Sequence, residues 1–159
     1  MNFKKLLSLL FFIPILICCD TTTSTNTTKD SKEVMFICPH GAARSPIAAA
    51  YFNKIAKEQN LNYHAIFRGT EPDETLSART IEGLTKEGID LTGWKPELVS
   101  TKDINKAYKI VTFDCSVPTK GATALEEQWN GTPSPSREYE DFTRIVKGEV
   151  EQLIAELPK

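Results

Sequence analysis

After a long polar stretch, a short apolar run has the length of a β-strand. Residues 34 to 37 form a continuous apolar run, which is typical of a parallel strand covered on both faces. The run ends in Cys38 and a short loop, and residues 45 to 59 then carry apolar side chains at helical spacing, with Pro46 suited to the first turn. These side chains are Ile47, Ala48, Tyr51, Phe52 and Ile55. The opening unit is therefore predicted to be a strand, a tight loop and a helix.

Strand and helix patterns continue to alternate along the chain. A second strand is predicted over residues 63 to 68, closed by Gly69, and a helix over 77 to 87, with Ser77 as N-cap and Gly88 as its stop. The remaining elements are a short strand or edge segment at 95 to 100, a short helix at 102 to 106, a buried strand at 109 to 113, a loop rich in Pro, Thr and Gly, and a long helix at 137 to 157. Such alternation predicts an α/β fold, a parallel sheet with helices on both faces.

A different pattern precedes this domain. Lys4 and Lys5 are followed by an apolar run over residues 6 to 17, which is shorter than the roughly 20 residues that cross a bilayer as a helix. The arrangement is typical of a secretory signal peptide. Residues 16 to 19, Leu-Ile-Cys-Cys, resemble a bacterial lipobox, in which the cysteine after a small residue is lipidated. We expect lipidation on Cys19, with Cys18 as the competing choice.

Residues 20 to 32 contain no side chain that could enter a core. Their Thr-rich and then charged composition predicts a flexible tether. The predicted organisation is a lipoprotein signal peptide at 1–19, a tether at 20–32 and a folded domain at 33–159. We therefore expect an exported protein anchored by lipid to a membrane, on its periplasmic or cell-surface side. An ordinary signal peptide or an uncleaved anchor is the alternative.

Charge limits the classes of partner. The 159 residues carry a formal net charge of −2, and loss of Lys4 and Lys5 with the signal peptide makes it −4. This mild acidity, without a cluster of basic residues, gives no electrostatic footprint for nucleic acid. An anionic substrate must instead be captured locally, by a helix N-terminus or a single arginine. No residue spacing is typical of a metal site, and we expect no cofactor.

The loop after the first strand carries the candidate chemistry. Five residues separate Cys38 from Arg44 and Ser45, and residues 41 to 43 are small enough for the backbone to curl with its N–H groups inward. With the dipole of the following helix, this cradle suits a tetrahedral oxyanion. Arg44 would add a two-pronged donor. The same positive field favours the Cys38 thiolate, which is the nucleophilic form, and Ser45 could donate a hydrogen bond to that sulfur.

Alternatives remain for these residues. Cys38 could be a buried cysteine at a strand end, with Arg44 on a helix surface. His40 could assist as a cation beside a bound anion or merely pack, and His64, in the second strand pattern, is predicted to be structural.

The segment from Val34 to Ala50, reading VMFICPHGAARSPIAAA, resembles the N-terminal signature of the low-molecular-weight protein tyrosine phosphatases and of the related thioredoxin-coupled arsenate reductases. The resemblance continues to about residue 157. It implies a three-layer α/β sandwich around a four-stranded parallel sheet, and a phosphocysteine intermediate on Cys38. It also implies that the transition state is bound by Arg44 and the loop amides, without a metal. The implied phosphate-binding loop comprises Pro39, His40, Gly41, Ala42, Ala43 and Arg44.

Three positions depart from this family pattern. Gly41 stands where the family usually has an Asn that organises the loop, and Ala43 replaces the second cysteine of redox-regulated members. Thr132 stands where family phosphatases have the Asp that protonates the leaving group. Asp114, expected at the same sheet edge as Cys38, is a candidate substitute acid; the alternative is a loop Asp that caps a turn.

Three functional hypotheses follow. The first is a cysteine-dependent phosphatase that acts on phosphotyrosine in a protein or on a small aryl phosphate. The second is an arsenate reductase-like thiol enzyme in which Cys115 is the redox partner of Cys38. That branch uses two resolving cysteines near this strand, whereas only Cys115 is present here. The alternative is that Cys38 and Cys115 are unpaired thiols too far apart to bond. The third is a lipoprotein that binds an oxyanion or a protein without turnover.

Overall fold

A computed structural model describes residues 31–118 and 123–158. The predicted signal peptide, the lipidation site at Cys19 and nearly all of the predicted tether lie outside these residues. Among the residues described, no helix is long and apolar enough to cross a membrane. The first strand begins at Lys32, the last position of the predicted tether.

Four strands form one parallel sheet. They are β1 (Lys32–Cys38), β2 (Tyr63–Gly69), β3 (Lys109–Thr112) and β4 (Leu125–Gln128), in the order β2-β1-β3-β4. The register sets Cys38 opposite Gly69 and Phe36 opposite Val111. Because β1 is central and completely apolar from residue 34 to 37, it is buried on both faces, as its sequence predicts.

The helices cover both faces of the sheet and make it a three-layer sandwich. They are α1 (Arg44–Glu58), α2 (Ala78–Lys86), α3 (Thr101–Lys106) and α4 (Tyr139–Glu156). Val34 and Phe36 pack in a large cluster with residues of α1 and α4. Met35 and Ile37 pack in a smaller cluster with Ile104 of α3. The predicted α/β class and four-stranded parallel sheet are confirmed.

Helix boundaries follow local chemistry. Ser77 is the N-cap of α2 and accepts a hydrogen bond from the Thr80 amide at 3.2 Å, as predicted. Gly88 follows the end of this helix at a φ of 77°, a conformation that suits glycine after a C-cap. The last helix begins at Tyr139, two residues later than the predicted 137.

The strand β4 was not predicted. The sequence pattern predicts a loop between residue 113 and the last helix, and this is wrong for Leu125–Gln128. The strand lies at the sheet edge, and its single apolar side chain, Leu125, is 57% exposed, so no apolar alternation marks it. The segment 95 to 100 contributes only a bridge between Leu98 and Gly69 and is therefore the edge-segment alternative rather than a strand.

Candidate active site

The candidate nucleophile lies where parallel α/β sheets place their sites. Cys38 is the last residue of β1, at the carboxyl end of the sheet. The loop 39 to 43 follows at once, and α1 begins at Arg44. Strand, loop and helix are therefore arranged as the sequence predicts.

The loop is held from outside by the segment that follows β2. Carbonyl oxygens of the loop accept hydrogen bonds from amides of residues 71 to 77: Pro39 from Glu71 at 2.8 Å, His40 from Asp73 at 3.0 Å and Ala42 from Ser77 at 2.9 Å. Within the described part of the chain, no amide of residues 39 to 44 donates to a backbone carbonyl. With its carbonyls turned outward, the loop keeps its N–H groups for an anion.

Gly41 lies at a close approach of two backbones. Its φ is 60°, and a Cβ built on it would lie 3.0 Å from the Gly69 nitrogen. A Cβ on Gly69 would in turn lie 3.0 Å from the Gly41 nitrogen. Glycine at 41 thus suits both the left-handed conformation and the close approach of β2.

Ser45 bridges the candidate nucleophile and β2. Its hydroxyl lies 3.1 Å from the Cys38 sulfur, and it donates to the Arg68 carbonyl at 3.2 Å. Both Cys38 and Ser45 are buried. A hydroxyl has one proton and can also accept, so the thiol can donate to Ser45, and the hydroxyl can turn to the sulfur once that is a thiolate.

Arg44 is joined to a distant loop through Asp114. The Arg44 Nη1 lies 3.1 Å from Asp114 Oδ2, and Asp114 Oδ1 accepts from the Gly131 amide at 2.9 Å. The Asp114 amide donates to Asn130 Oδ1 at 3.0 Å, and its φ is 47°. Asp114 does lie at the Cys38 edge of the sheet, with both carboxylate oxygens engaged. Its action as an acid stays a prediction.

The arginine also keeps a donor available. Arg44 Nε is buried and has no hydrogen-bond partner among the residues described. A guanidinium whose Nη1 binds a carboxylate can present its other N–H groups to an oxyanion. Asp114 therefore orients Arg44 without saturating it.

A pocket of about 260 Å³ opens over Cys38. Its walls are Cys38, Pro39, His40, Ala43, Arg44, Ser134, Pro135 and Ser136. The last three were missed by sequence reasoning, because they approach Cys38 only through folding and carry no motif. A larger cavity, about 630 Å³ between α2 and α4, contains none of the loop residues.

The segment expected to hold the acid adjoins this wall. Thr132 lies between Gly131, which contacts Asp114, and Ser134 of the pocket. Its hydroxyl is buried without a partner within the described residues. Trp129 is buried and packs against Phe36 and Phe113, with ring centroids 5.7 and 5.5 Å away, so it anchors the core.

Cys115 lies close to the end of β1. Its thiol donates to the Ile37 carbonyl at 3.6 Å, and both Cys38 and Cys115 are free. Cys38 packs in the α1 and α4 cluster, whereas Cys115 packs against the α3 cluster. Burial first, and then the proximity of Cys38, raise the pKa of the Cys115 thiol.

His64 lies far from the loop. It occupies the second position of β2 and contacts the buried carboxylate of Glu33 at 3.2 Å, at the opposite end of the sheet from Cys38. Ser31 contacts its other ring nitrogen at 2.8 Å. In the part of the chain that the structure describes, no group of three or more His, Cys, Asp or Glu side chains could hold a metal ion.

The fold and the loop together define a class of α/β proteins in which a cysteine ends the first parallel strand and an arginine begins the next helix. Residues 33–130 match the family described as low molecular weight phosphotyrosine protein phosphatase. The chain belongs to this family, and the resemblance predicted from residues 34 to 50 is confirmed.

Relatives in this family divide between two activities. A putative arsenate reductase from Halobacterium salinarum is 23% identical over 124 residues, which is 77% of this chain and 87% of its own length. The structure of YfkJ from Bacillus subtilis is 24% identical, with a TM-score of 0.69 over 78% of this chain and 92% of its own. A low molecular weight protein tyrosine phosphatase from T. tengcongensis is 22% identical, with a TM-score of 0.64 over 80% of this chain and 100% of its own. The two solved structures share the fold.

Proposed function

We propose that the protein is a cysteine-dependent phosphatase that hydrolyses phosphotyrosine or small aryl phosphate monoesters. The observation that carries the proposal is the contact of the Cys38 sulfur with Ser45 at 3.1 Å, beside a loop whose carbonyls are bonded outward. A thiolate, inward amides and an arginine are what phosphoryl transfer needs from a protein, since catalysis there is mainly positioning and charge stabilisation.

The reaction proceeds in two transfers. The Cys38 thiolate attacks phosphorus, a sulfur–phosphorus bond forms, and the bond from phosphorus to the leaving oxygen breaks. Water then attacks the phosphocysteine, phosphate departs, and the thiolate is restored. Arg44 and the loop amides bind the equatorial oxygens in both steps. Ser45 stabilises the departing thiolate in the second, because its hydroxyl reaches the sulfur.

The direct test is hydrolysis of p-nitrophenyl phosphate by the full chain under reducing conditions. Turnover is expected to disappear in Cys38→Ser and in Arg44→Ala. Cys115→Ser is the matched control, because it removes a neighbouring thiol that takes no part in this reaction. Activity that survives Cys38→Ser overturns the proposal.

Arsenate reduction is a second candidate, favoured by the position of Cys115 beside the end of β1. Cys38 would bond to arsenic with loss of water, and Cys115 would then attack the Cys38 sulfur. Arsenite leaves with the bonding pair, the two thiols are oxidised to a disulfide, and an external dithiol reduces it again. Both thiols are free and pack in different clusters, so this reaction requires the two sulfurs to approach to bonding distance.

One comparison separates the two activities. If arsenate reduction is the function, Cys115→Ser abolishes arsenate consumption with a dithiol reductant, whereas hydrolysis of p-nitrophenyl phosphate persists. If Cys115→Ser consumes arsenate at the wild-type rate, a redox role for Cys115 is excluded. Binding of phosphate or arsenate without turnover of either would leave the third hypothesis, an oxyanion-binding protein.

We also propose that the protein is exported and lipidated on Cys19, which the residue pattern of positions 4 to 19 supports. Labelled palmitate supplied to an expressing bacterium is expected to enter the protein. Cys19→Ser should lose this label and Cys18→Ser should retain it. Label retained in Cys19→Ser and lost in Cys18→Ser would reassign the modified residue.

A further inference from the structure

A leaving oxygen needs a proton, and few side chains at the pocket can supply one. Of the walls named above, Cys38 is the nucleophile, and Arg44 stays protonated at working pH. The hydroxyls of Ser134 and Ser136 do not release a proton near neutral pH. An imidazole changes charge between about pH 5 and 8, so His40 is the pocket residue suited to give up and take back a proton.

The carboxylates near the pocket are engaged elsewhere. Asp114 does not line it, and its two oxygens are bound to Arg44 and to the Gly131 amide. Asp73 faces His40 instead. A carboxylate that binds a cation or an amide acts as an acceptor, which favours His40 over the candidate Asp114 as the proton donor.

His40 is held at two points by the same residue. Its Nδ1 lies 3.3 Å from Asp73 Oδ1, and its carbonyl accepts from the Asp73 amide at 3.0 Å. The contact is an ion pair that places Nδ1 toward Asp73 and leaves Nε2 as the other ring nitrogen. A carboxylate beside one ring nitrogen also sets the orientation of the imidazole in catalytic triads. Because both side chains are more than half exposed, the pair contributes orientation rather than stability.

We propose that His40 is the proton donor to the leaving group, an inference that rests on the proposed phosphatase activity. As sulfur bonds to phosphorus and the phosphorus–oxygen bond breaks, the proton on His40 Nε2 passes to the departing oxygen. The neutral Nε2 then takes a proton from the water that attacks the phosphocysteine, and the imidazolium is restored.

Leaving-group dependence tests this role. The full chain and its His40→Asn variant are compared with phenyl phosphate, whose phenolate needs a proton, and with dinitrophenyl phosphate, whose leaving group departs as a stable anion. His40→Asn is expected to lower kcat/KM for phenyl phosphate about 10²- to 10⁴-fold and to leave that for dinitrophenyl phosphate nearly unchanged.

Two further variants complete the experiment. Asp73→Asn should lower kcat/KM for phenyl phosphate more than for dinitrophenyl phosphate, because the carboxylate that orients the imidazole is gone. His64→Asn, which changes a histidine at the far end of the sheet, should match the wild type. Equal losses on both substrates, or no loss, would overturn the role of His40. If the wild type does not hydrolyse dinitrophenyl phosphate, or if this hydrolysis persists in Cys38→Ser, the phosphatase proposal itself has failed.

Discussion

Ser45 is the residue on which the second half of the proposed reaction depends most. It is completely buried, and its hydroxyl has two neighbours: the Cys38 sulfur and the Arg68 carbonyl. Because the carbonyl cannot donate, the hydroxyl proton is shared between an oxygen and the sulfur. Negative charge on sulfur would draw that proton toward it. Ser45 is therefore placed to stabilise the thiolate as it leaves phosphorus.

Ser45→Ala should slow hydrolysis of the phosphocysteine more than its formation. A hydrogen bond to a charged group is worth about 1.5–3 kcal/mol, which corresponds to a roughly 10- to 100-fold slower second step. Stopped-flow measurement with p-nitrophenyl phosphate should then show a burst of nitrophenol followed by slow turnover. Thr143→Ala, a buried hydroxyl on α4, is the control and should keep the wild-type time course.

The structure also perturbs the protonation of Cys115. Burial and the nearby Cys38 raise the pKa of its thiol, so less of it is thiolate at a given pH. Peptide-resolved alkylation with iodoacetamide should reach half its maximal rate above the usual value of about pH 8.5. In Cys38→Ser the midpoint should move to lower pH, because one of the causes is removed. A midpoint at or below the usual value would contradict the described environment.

At the scale of elements, α2 and α4 meet through a glycine. Gly83 of α2 faces the Tyr139 ring at the start of α4, and a Cβ at this position would overlap that ring. Gly148 lies in the interior of α4, with nothing within 4 Å of its Cβ position. The two helical glycines therefore differ in effect. Gly83 makes room for the Tyr139 ring, whereas Gly148 makes room for no neighbour and lowers the helix propensity of α4.

Alanine at these two positions should shift stability in opposite directions. Gly83→Ala is expected to lower the free energy of unfolding by about 1–3 kcal/mol through overpacking against Tyr139. Gly148→Ala should raise it by up to about 1 kcal/mol. Urea denaturation followed by circular dichroism measures both. If Gly83→Ala is as stabilising as Gly148→Ala, the described packing of α2 on α4 is wrong.

Asp103 links α3 to β2 and to its own helix cap. Its carboxylate accepts from Arg68 Nε at 3.2 Å, from the Ser100 hydroxyl at 2.8 Å and from the Ser100 amide at 3.1 Å. The Ser100 hydroxyl in turn accepts from the Asp103 amide, so the two residues form a capping box. Burial alone would raise the pKa of Asp103, but the bonds from Arg68 and Ser100 hold it below its ordinary value. Ionised Asp103 therefore stabilises the fold.

Asp103→Ala should cost about 1–2 kcal/mol of unfolding free energy at neutral pH. Because the folded-state pKa is depressed, this contribution is complete above the unfolded value of about 3.9 and is lost as the pH falls through the lower folded value. The difference from wild type in urea denaturation should shrink across that range. Asp141→Ala, which removes an exposed pair with Arg144, should stay within about 0.5 kcal/mol at every pH.

On the scale of the whole molecule, local patterns could be predicted and long-range contacts could not. The loop from Cys38 to Ser45 is contiguous, so its chemistry is visible in the sequence. The apolar run of β1 and the apolar periodicity of α1 and α4 predicted the starts of these elements to within two residues. The strand β4 could not be predicted, because it is held by backbone pairing with β3 and by the ion pair between Lys109 and Glu127 at 2.7 Å. Neither interaction produces an apolar pattern in the sequence.

The same limit applies to the candidate site. Asp73, which contacts His40, and Ser134, which lines the pocket, lie about 35 and 95 residues beyond Cys38, and no motif connects them to it. The position of Asp114 at this edge could be predicted from the end of a parallel strand. Its bond to Arg44 could not, because that contact depends on a φ of 47° and on the Asn130 turn.

The central claim is that phosphoryl groups pass through the Cys38 sulfur. The most direct measurement is mass spectrometry of the full chain, mixed with p-nitrophenyl phosphate and stopped by rapid denaturation. One phosphoryl group is expected on the peptide that contains Cys38, at higher occupancy in Ser45→Ala and at none in Cys38→Ser. Turnover without any phosphoryl group on this peptide, or with the group on another residue, would contradict the account.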